Sequence, residues 1–351
     1  MTTTGDGSER PTQRTPHGGR MPTMKDIAEH LGVSRQLVSL VLRGVPGPST
    51  ESRERVLAAA RELGYRPNAS ARLLRRGRTR LIGMMFVMRN PFQVRVVERL
   101  MVRAAEEGFG LALGPTTAER TTDLVVGELM EQRVEGLVAF NPDPASSALR
   151  EAADLVPVVW LGEWIQTTQV DNVHVDETEG LRLAIEYLVR LGHRDIAYAG
   201  GLGGAVGESR AGAYRAAMAS FGLADRVEVL ASDFSEEGGA AVARGIVESS
   251  ERPTAVVCCG DQCAVAVMEV FSRAGIRVPE DISVVGFDDS YLASLSYHRL
   301  TSVRQDVEAT VEAALNAVLQ RIEGDGGPRR HIATPTGLVV RDSTGPARKP
   351  A

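Results

Sequence analysis

The chain has 351 residues, 43% hydrophobic and 24% charged, with a formal net charge of −5. That length exceeds one ordinary domain and suits a small module joined to a larger body, and the composition is ordinary for a globular chain. No apolar run approaches the ~20 residues that span a bilayer, and the first twenty residues lack a leader's apolar core, so a membrane or exported protein is not expected.

The charge is unevenly spread. Residues 1–80 carry 15 Arg/Lys against 7 Asp/Glu, whereas the remainder carry 25 against 38. A basic head on an acidic body is the footprint of a protein that docks one end on phosphate. Residues 1–22 are rich in Thr, Gly, Ser, Pro and Arg without a hydrophobic period, and read as a disordered tail.

From Thr23 the pattern changes. Thr23 with Asp26 three residues on is a capping-box-like opening, Ile27, Ala28 and Leu31 fall at helical spacing, and Gly32 ends the helix. Ser34 caps a second helix, 35–42, with Val38, Val41 and Leu42 on one side. Ser49 or Thr50 caps a third, with Val56, Leu57, Ala60 and Leu63 closing a small core. The two-residue turn Gly32-Val33 is as tight as a helix-turn-helix requires. In such a unit the second helix enters the major groove, and its first turn here carries Arg35 and Gln36. An arginine fork matches guanine O6 and N7, and a glutamine matches adenine N6 and N7. Thr23, Ser34, Ser39 and Arg43 suit phosphate contacts that set register, with a plain helix cap as the other role for Ser34. After Arg66-Pro67, Asn68 caps a segment of about two turns, well below the ~12–15 residues at which a helix is stable alone.

From Leu81, apolar strands (81–88, 110–114, 134–140, 156–162, 195–200, 254–260, 282–287) alternate with amphipathic helices at 95–107, 124–132, 180–191, 209–221, 238–249 and 261–274. Strict alternation with continuously apolar strands means parallel sheets covered on both faces, and the strand number suggests two of them. Ligands of such sheets bind beyond the strands' carboxyl ends. Trp164, in an otherwise polar loop after a strand, is expected to face that cleft more than Trp160. Cys258, Cys259 and Cys263 offer no C-x-x-C pair and no His at zinc spacing, so they read as buried hydrophobes. The glycine-rich run 200–207 departs from G-x-G-x-x-G at Val206 and lacks the ribose-binding acid. No catalytic motif is present, no metal or other cofactor is expected, and most of the six histidines, His193 among them, read as loop or cap residues.

The segments TMKDIAEHLGVSRQLVSLVL and ELGYRPNASARLLRRGRTRLIG resemble the head and hinge of the LacI/GalR family of bacterial transcription regulators. The resemblance extends from Thr23 to about Ser343 through VEGLVAF, YLVRLGHRDIAYAGG, SRAGAYRAAM, ISVVGFDDS and LTSVRQDV. It implies an all-α helix-turn-helix head (23–66), a hinge helix (67–79) and an α/β body (80–345) of two doubly wound parallel-sheet lobes like the periplasmic binding proteins. Lobe 1 would span about 80–174 and 304–333, lobe 2 about 175–303 and 334–345, with 346–351 a tail. It places the main base-reading positions on Arg35, Gln36 and Leu40; Leu40 departs from the polar residue often found there and suits a thymine methyl. It makes Leu74 the leucine wedged into the minor groove, with Ala71 facing the partner copy and Arg75 beside the groove.

For the effector, the resemblance points to Asn90 and Phe92 at the turn after the first body strand, where Phe92 either stacks on a sugar ring or simply packs. It also points to Arg210 and Asp288, which could grip adjacent hydroxyls. Gly260 stands where many relatives have Asn, removing one expected contact. Asp176 matches the Asp at the lobe junction, with a helix cap as its plainer role; Gln305 and Asp306 are expected to be structural. The function implied is a ligand-responsive repressor of a carbohydrate-related operon, cytoplasmic and nucleoid-associated, binding a near-palindromic double-stranded operator as a homodimer. The alternatives are a nucleobase or other small metabolite as effector, or a solute-binding protein without a DNA role. The C-terminal segment has no leucine heptad, hence a dimer rather than a coiled-coil tetramer.

Overall fold

Local rules fix the head. The structure, a computed structural model, describes residues 21–65, 78–165 and 169–348. Residues 1–77 and 78–351 form two compact units. Helix α1 (Met24–Leu31) opens on a complete capping box between Thr23 and Asp26 and stops at Gly32, whose φ of 64° a side chain would resist. Helix α2 (Arg35–Leu42) is capped by Ser34 Oγ, which accepts from the Leu37 amide at 3.1 Å. Helix α3 (Thr50–Glu62) is capped by Ser49. Their core is Ile27, Ala28, Val38, Val41, Val56, Ala59 and Ala60. The sequence expectation that Leu57 belongs to this core is corrected: Leu57 is 41% exposed and Ala59 is buried in its place, because α3 turns its alanine-rich stripe inward. The hinge segment, with Ala71, Leu74 and Arg75, lies outside the described residues.

The body begins with β1 (Leu81–Val87), α4 (Pro91–Glu106), β2 (Gly110–Thr116), α5 (Thr122–Glu131), β3 (Gly136–Phe140), α6 (Ser147–Leu155), β4 (Val158–Gly162) and β5 (Asp171–Val175). Helix α7 (Glu177–Arg190) then leads to β6 (Ile196–Gly201), α8 (Gly204–Ser220), β7 (Glu228–Ser232), α9 (Glu236–Glu248), β8 (Ala255–Cys258), α10 (Asp261–Arg273), β9 (Ser283–Asp288), α11 (Tyr291–Ser294) and β10 (Thr301–Gln305). Helix α12 (Val307–Ile322), β11 (His331–Thr334) and β12 (Thr336–Val339) complete it. One sheet has the order β11-β5-β4-β3-β1-β2, the other β12-β10-β9-β8-β6-β7. All pairings are parallel except β10 with β12. In each sheet the order reverses beside its first strand, β1 or β6, and at such a switch point the loops beyond the carboxyl ends diverge and leave a crevice.

The chain passes between the sheets three times, at Asp176, Asp306 and Pro335. Asp176 and Asp306 each cap the helix that follows, accepting from the Glu179 and Ala309 amides at 3.0 Å. The crossings also bond one another: the Asp176 amide donates to Thr334 O, and Thr336 Oγ1 donates to Asp176 O. Strand β10 pairs with β9, so residues 304 and 305 belong with the second sheet, and α12 packs on the first. Residues 346–348 are not a loose tail, for Ala347 N donates to Leu191 O and Arg348 to Arg252 O. His193 lies in the loop between α7 and β6, as expected, and is buried there, with its ring nitrogens 2.9 Å from Thr254 Oγ1 and Gly345 O. The three cysteines are free and buried.

A buried ion pair ties α12 to the first sheet. Arg321 donates through Nε and Nη2 to both oxygens of Asp171 (2.8 and 2.9 Å), and the Arg330 amide adds a third donor. Burial alone would raise the Asp171 carboxyl; these donors outweigh it and hold it below its ordinary range. We predict that Arg321→Ala destabilises the body by ~3–5 kcal/mol at neutral pH, because it strips the buried Asp171 of its two-pronged partner and leaves only Arg329 and Arg330 at 4.0 and 3.8 Å. A folded-state pKa below the unfolded value of ~3.9 contributes stability above that value and loses it as pH falls through the folded one. Urea denaturation should therefore show the gap between variant and wild type closing below about pH 4.

Candidate effector cavity and nucleic-acid interface

In the head, Arg35 and Gln36 are exposed on the first turn of α2, and neither has an intramolecular hydrogen bond or ion pair among the described residues. Leu40, one turn on, is half-buried. Ser34 and Thr23 are both engaged as caps, and Arg43 Nε turns back to Ser39 O at 3.0 Å. The plain role of Ser34 is thus realised, and its hydroxyl can serve a phosphate only as well as the helix.

In the body, a cavity of about 460 Å³ opens where the two sheets' carboxyl ends face each other. The first sheet contributes Asn90 and Phe92 at the start of α4, Asn141 after β3, and Gly162 and Glu163 after β4. The second contributes Gly203 and Gly204, Arg210 in α8, Phe234 after β7, Asp288 at the end of β9 and Gln305 at the end of β10. Such a volume and mixed lining suit a small polar ligand.

Arg210 is the centre of the second sheet's half. Its Nε donates to Glu177 Oε1 at 2.7 Å, its Nη1 donates to Cys259 O at 2.6 Å, and Asp288 Oδ1 lies 3.8 Å away. The guanidinium carbon sits 3.9 Å from the centroid of the Phe287 ring. Arg210 is therefore first a buried keystone and only then a ligand group. Asp288 takes a φ of 111°, a region side chains rarely occupy, and accepts from Gln305 Nε2 at 2.5 Å. Burial raises the Asp288 carboxyl, and Arg210 and Gln305 only partly offset that. Gln305 thus belongs to the cavity, correcting the purely structural expectation. Behind it, Asp261 accepts from Ser302 Oγ and the Ser290 amide, both at 2.6 Å, fixing the turn that follows Asp288. Burial first, and Asp288 second, push the Asp261 carboxyl upward.

The other expectations divide. Asn90 and Phe92 both reach the cavity, but Asn90 Oδ1 caps α4 through Gln93 N at 3.0 Å. Phe92 is buried, edge-on to Phe140 at 6.2 Å, so packing prevails over a free stacking face. Trp164 is corrected: it does not line the cavity, is 58% exposed, and its ring lies 6.4 Å from that of His331 on the sheet's edge strand. The cause is the neighbouring backbone. Gly162 has a φ of 118°, and a Cβ there would fall 2.3 Å from Asn141 Oδ1, the atom that accepts the Glu163 amide. Asn172 Nδ2 then clamps Glu163 O at 2.8 Å. That turn directs Glu163, not Trp164, to the cavity. Gly260 carries no side chain but borders the site, where a Cβ would meet Phe234 at 3.6 Å and Asp288 at 3.7 Å. Glu163, Asn141, Glu177 and Phe234 were missed; the first two are legible as the residues beyond strand carboxyl ends, whereas Glu177 and Phe234 depend on contacts distant in sequence.

A helix-turn-helix head and a two-lobed body enclosing a polar cavity define the class of ligand-controlled regulators. Residues 23–68 match the model of bacterial regulatory proteins of the lacI family, and residues 185–344 match a periplasmic binding protein-like domain. The ribose operon repressor of Haemophilus influenzae is 31% identical over 92% of this chain and 98% of its own. The repressor PurR of Erwinia tasmaniensis is 33% identical over 93% and 99%. The lac repressor dimer bound to operator and the anti-inducer ONPF superposes with a TM-score of 0.78 at 29% identity, covering 93% of this chain and 100% of that one. The chain belongs to the lacI family of bacterial regulatory proteins.

Arg210→Ala leaves Glu177 and Asp288 without their buried counter-charge, so it is expected to destabilise the body by ~3–5 kcal/mol in addition to any ligand effect. Thermal melting of the variant checks this; an unchanged midpoint would remove the keystone role. A Cβ at Gly260 meets only ordinary contacts and an asparagine there gains a cap for α10, so the stability of Gly260→Asn in urea should stay within ~1 kcal/mol of wild type.

Proposed function

We propose that this chain is an effector-controlled repressor of a carbohydrate-related operon that binds a near-palindromic duplex as a homodimer. One observation carries the reading: the second helix of the head presents Arg35 and Gln36 uncommitted, on a chain whose body builds a polar cavity around Arg210 and Asp288. In this reading Arg35, Gln36 and Leu40 read base edges, while Thr23, Ser34, Ser39 and Arg43 hold phosphates. From its sequence, the segment 67–79 is a hinge too short to be stable alone, with Leu74 entering the minor groove beside Arg75 and Ala71 meeting the partner copy.

Effector in the cavity changes the angle between lobes at the three crossings, and through the hinge the spacing of the two heads. This is a population shift that requires different effector affinity in the two states. Asn90, Phe92, Arg210, Asp288 and Gln305 contact the effector, and Gly260 leaves room that a side chain would fill. A sugar suits the Arg–carboxylate pair, and the ribose operon repressor supports it; a nucleobase is the second reading. We assign no catalytic role. Its duplex target places it in the cytoplasm, on the nucleoid.

The test is a duplex selected by the wild-type chain from a random pool. Arg35→Ala should weaken its binding by ~1–3 kcal/mol and relax one base position in each half-site. Affinity should fall steeply with salt. A wild-type chain that retards no duplex at low salt overturns the reading.

A further inference from the structure

The cavity holds more acid than base. Its charged lining among the described residues is Asp143, Glu163, Asp288 and Arg210. Arg210 is already matched, with Glu177 on one side and Asp288 on the other. Asp143 is engaged in its own turn, accepting from the Ala145 amide at 2.8 Å. Glu163 is different. It is 9% exposed, and its carboxylate has no hydrogen bond or ion pair among the described residues. Its backbone is held on both sides, the amide by Asn141 and the carbonyl by Asn172, so the side chain is fixed at the cavity wall. Burial, and then repulsion from Glu177, raise its carboxyl above the ordinary range.

Buried carboxylates are paired or hydrogen-bonded in folded proteins, because leaving one unpaired forfeits hydration without return. A wall residue held this way has its partner supplied by what enters. A hydroxyl would satisfy one oxygen but leave the charge surplus standing; a protonated amine offers up to three donors and cancels it.

We propose that the effector carries a protonated amine whose counter-ion is Glu163, its hydroxyls meeting Arg210 and Asp288: an amino sugar or a similarly sized polyhydroxylated amine. This rests on the regulatory reading above for its biological use, but the binding chemistry can be tested apart from it. The experiment is calorimetric titration of the full chain at pH 7 with glucosamine, galactosamine and mannosamine, each beside its neutral parent and its N-acetyl form.

At least one amine should bind about ten-fold or more tightly than both of its uncharged counterparts. Glu163→Gln should abolish that preference, and Glu163→Asp should keep most of it. The wild-type comparison stands even if a variant fails to fold. A neutral sugar binding as tightly as its amine, a preference surviving in Glu163→Gln, or no amine binding at millimolar concentration overturns the proposal. Binding to the selected duplex, measured on the same samples, separates the two readings. A neutral sugar that alters duplex affinity removes the amine and leaves the regulator, whereas an amine bound by a chain that retards no duplex does the reverse.

Discussion

One guanidinium organises the effector half of this protein. Arg210, buried in α8, joins the crossing helix α7 through Glu177, the end of β8 through Cys259 O, and the end of β9 through Asp288, all on the face of Phe287. Taking a charge out of water is favourable only when its partners are in place, so these elements must arrive together. Everything displayed to a ligand from the second sheet is hung from that arrangement: the strained backbone of Asp288, the Gln305 amide that reaches it, and the open edge at Gly260.

The first sheet contributes its half by another route. There the backbone is turned by Gly162 against Asn141 and pinned by Asn172, and among the described residues no ion pair holds Glu163. The result is a wall residue, Glu163, positioned by neutral hydrogen bonds and left with its charge unspent. One half of the cavity is electrostatically closed and the other is open, and that asymmetry bears on which ligands the site can accept. The three crossings, where Asp176 caps α7 and Asp306 caps α12, link the halves.

Much of this was legible in the residues. The capping box at Thr23, the glycine stop at 32 and the Ser34 cap specify the head because each acts within four residues of chain. Strands β1, β3, β4, β6, β8 and β9 were legible because burial on two faces demands unbroken apolar runs. Strands β5, β7, β10, β11 and β12 were not, since edge or polar strands such as DNVHV, EVLAS and TSVRQ mix polar and apolar residues and draw their definition from a neighbour. Helix starts read from the sequence fall three to five residues late where a polar or glycine-rich first turn precedes the amphipathic stretch, as at Glu177 and Gly204.

The sequence by itself determined the head, the alternation that makes two parallel sheets, and Arg210 and Asp288 as candidate cavity residues, because those follow from local periodicity and from family motifs. Only the tertiary structure decided that Arg210 is committed to Glu177, that Gln305 lines the cavity, and that Glu163 rather than Trp164 lines its wall. Each of those outcomes depends on which buried partner satisfies a charge or amide across more than a dozen residues, and such pairing is settled by three-dimensional packing and leaves no periodic trace in the chain.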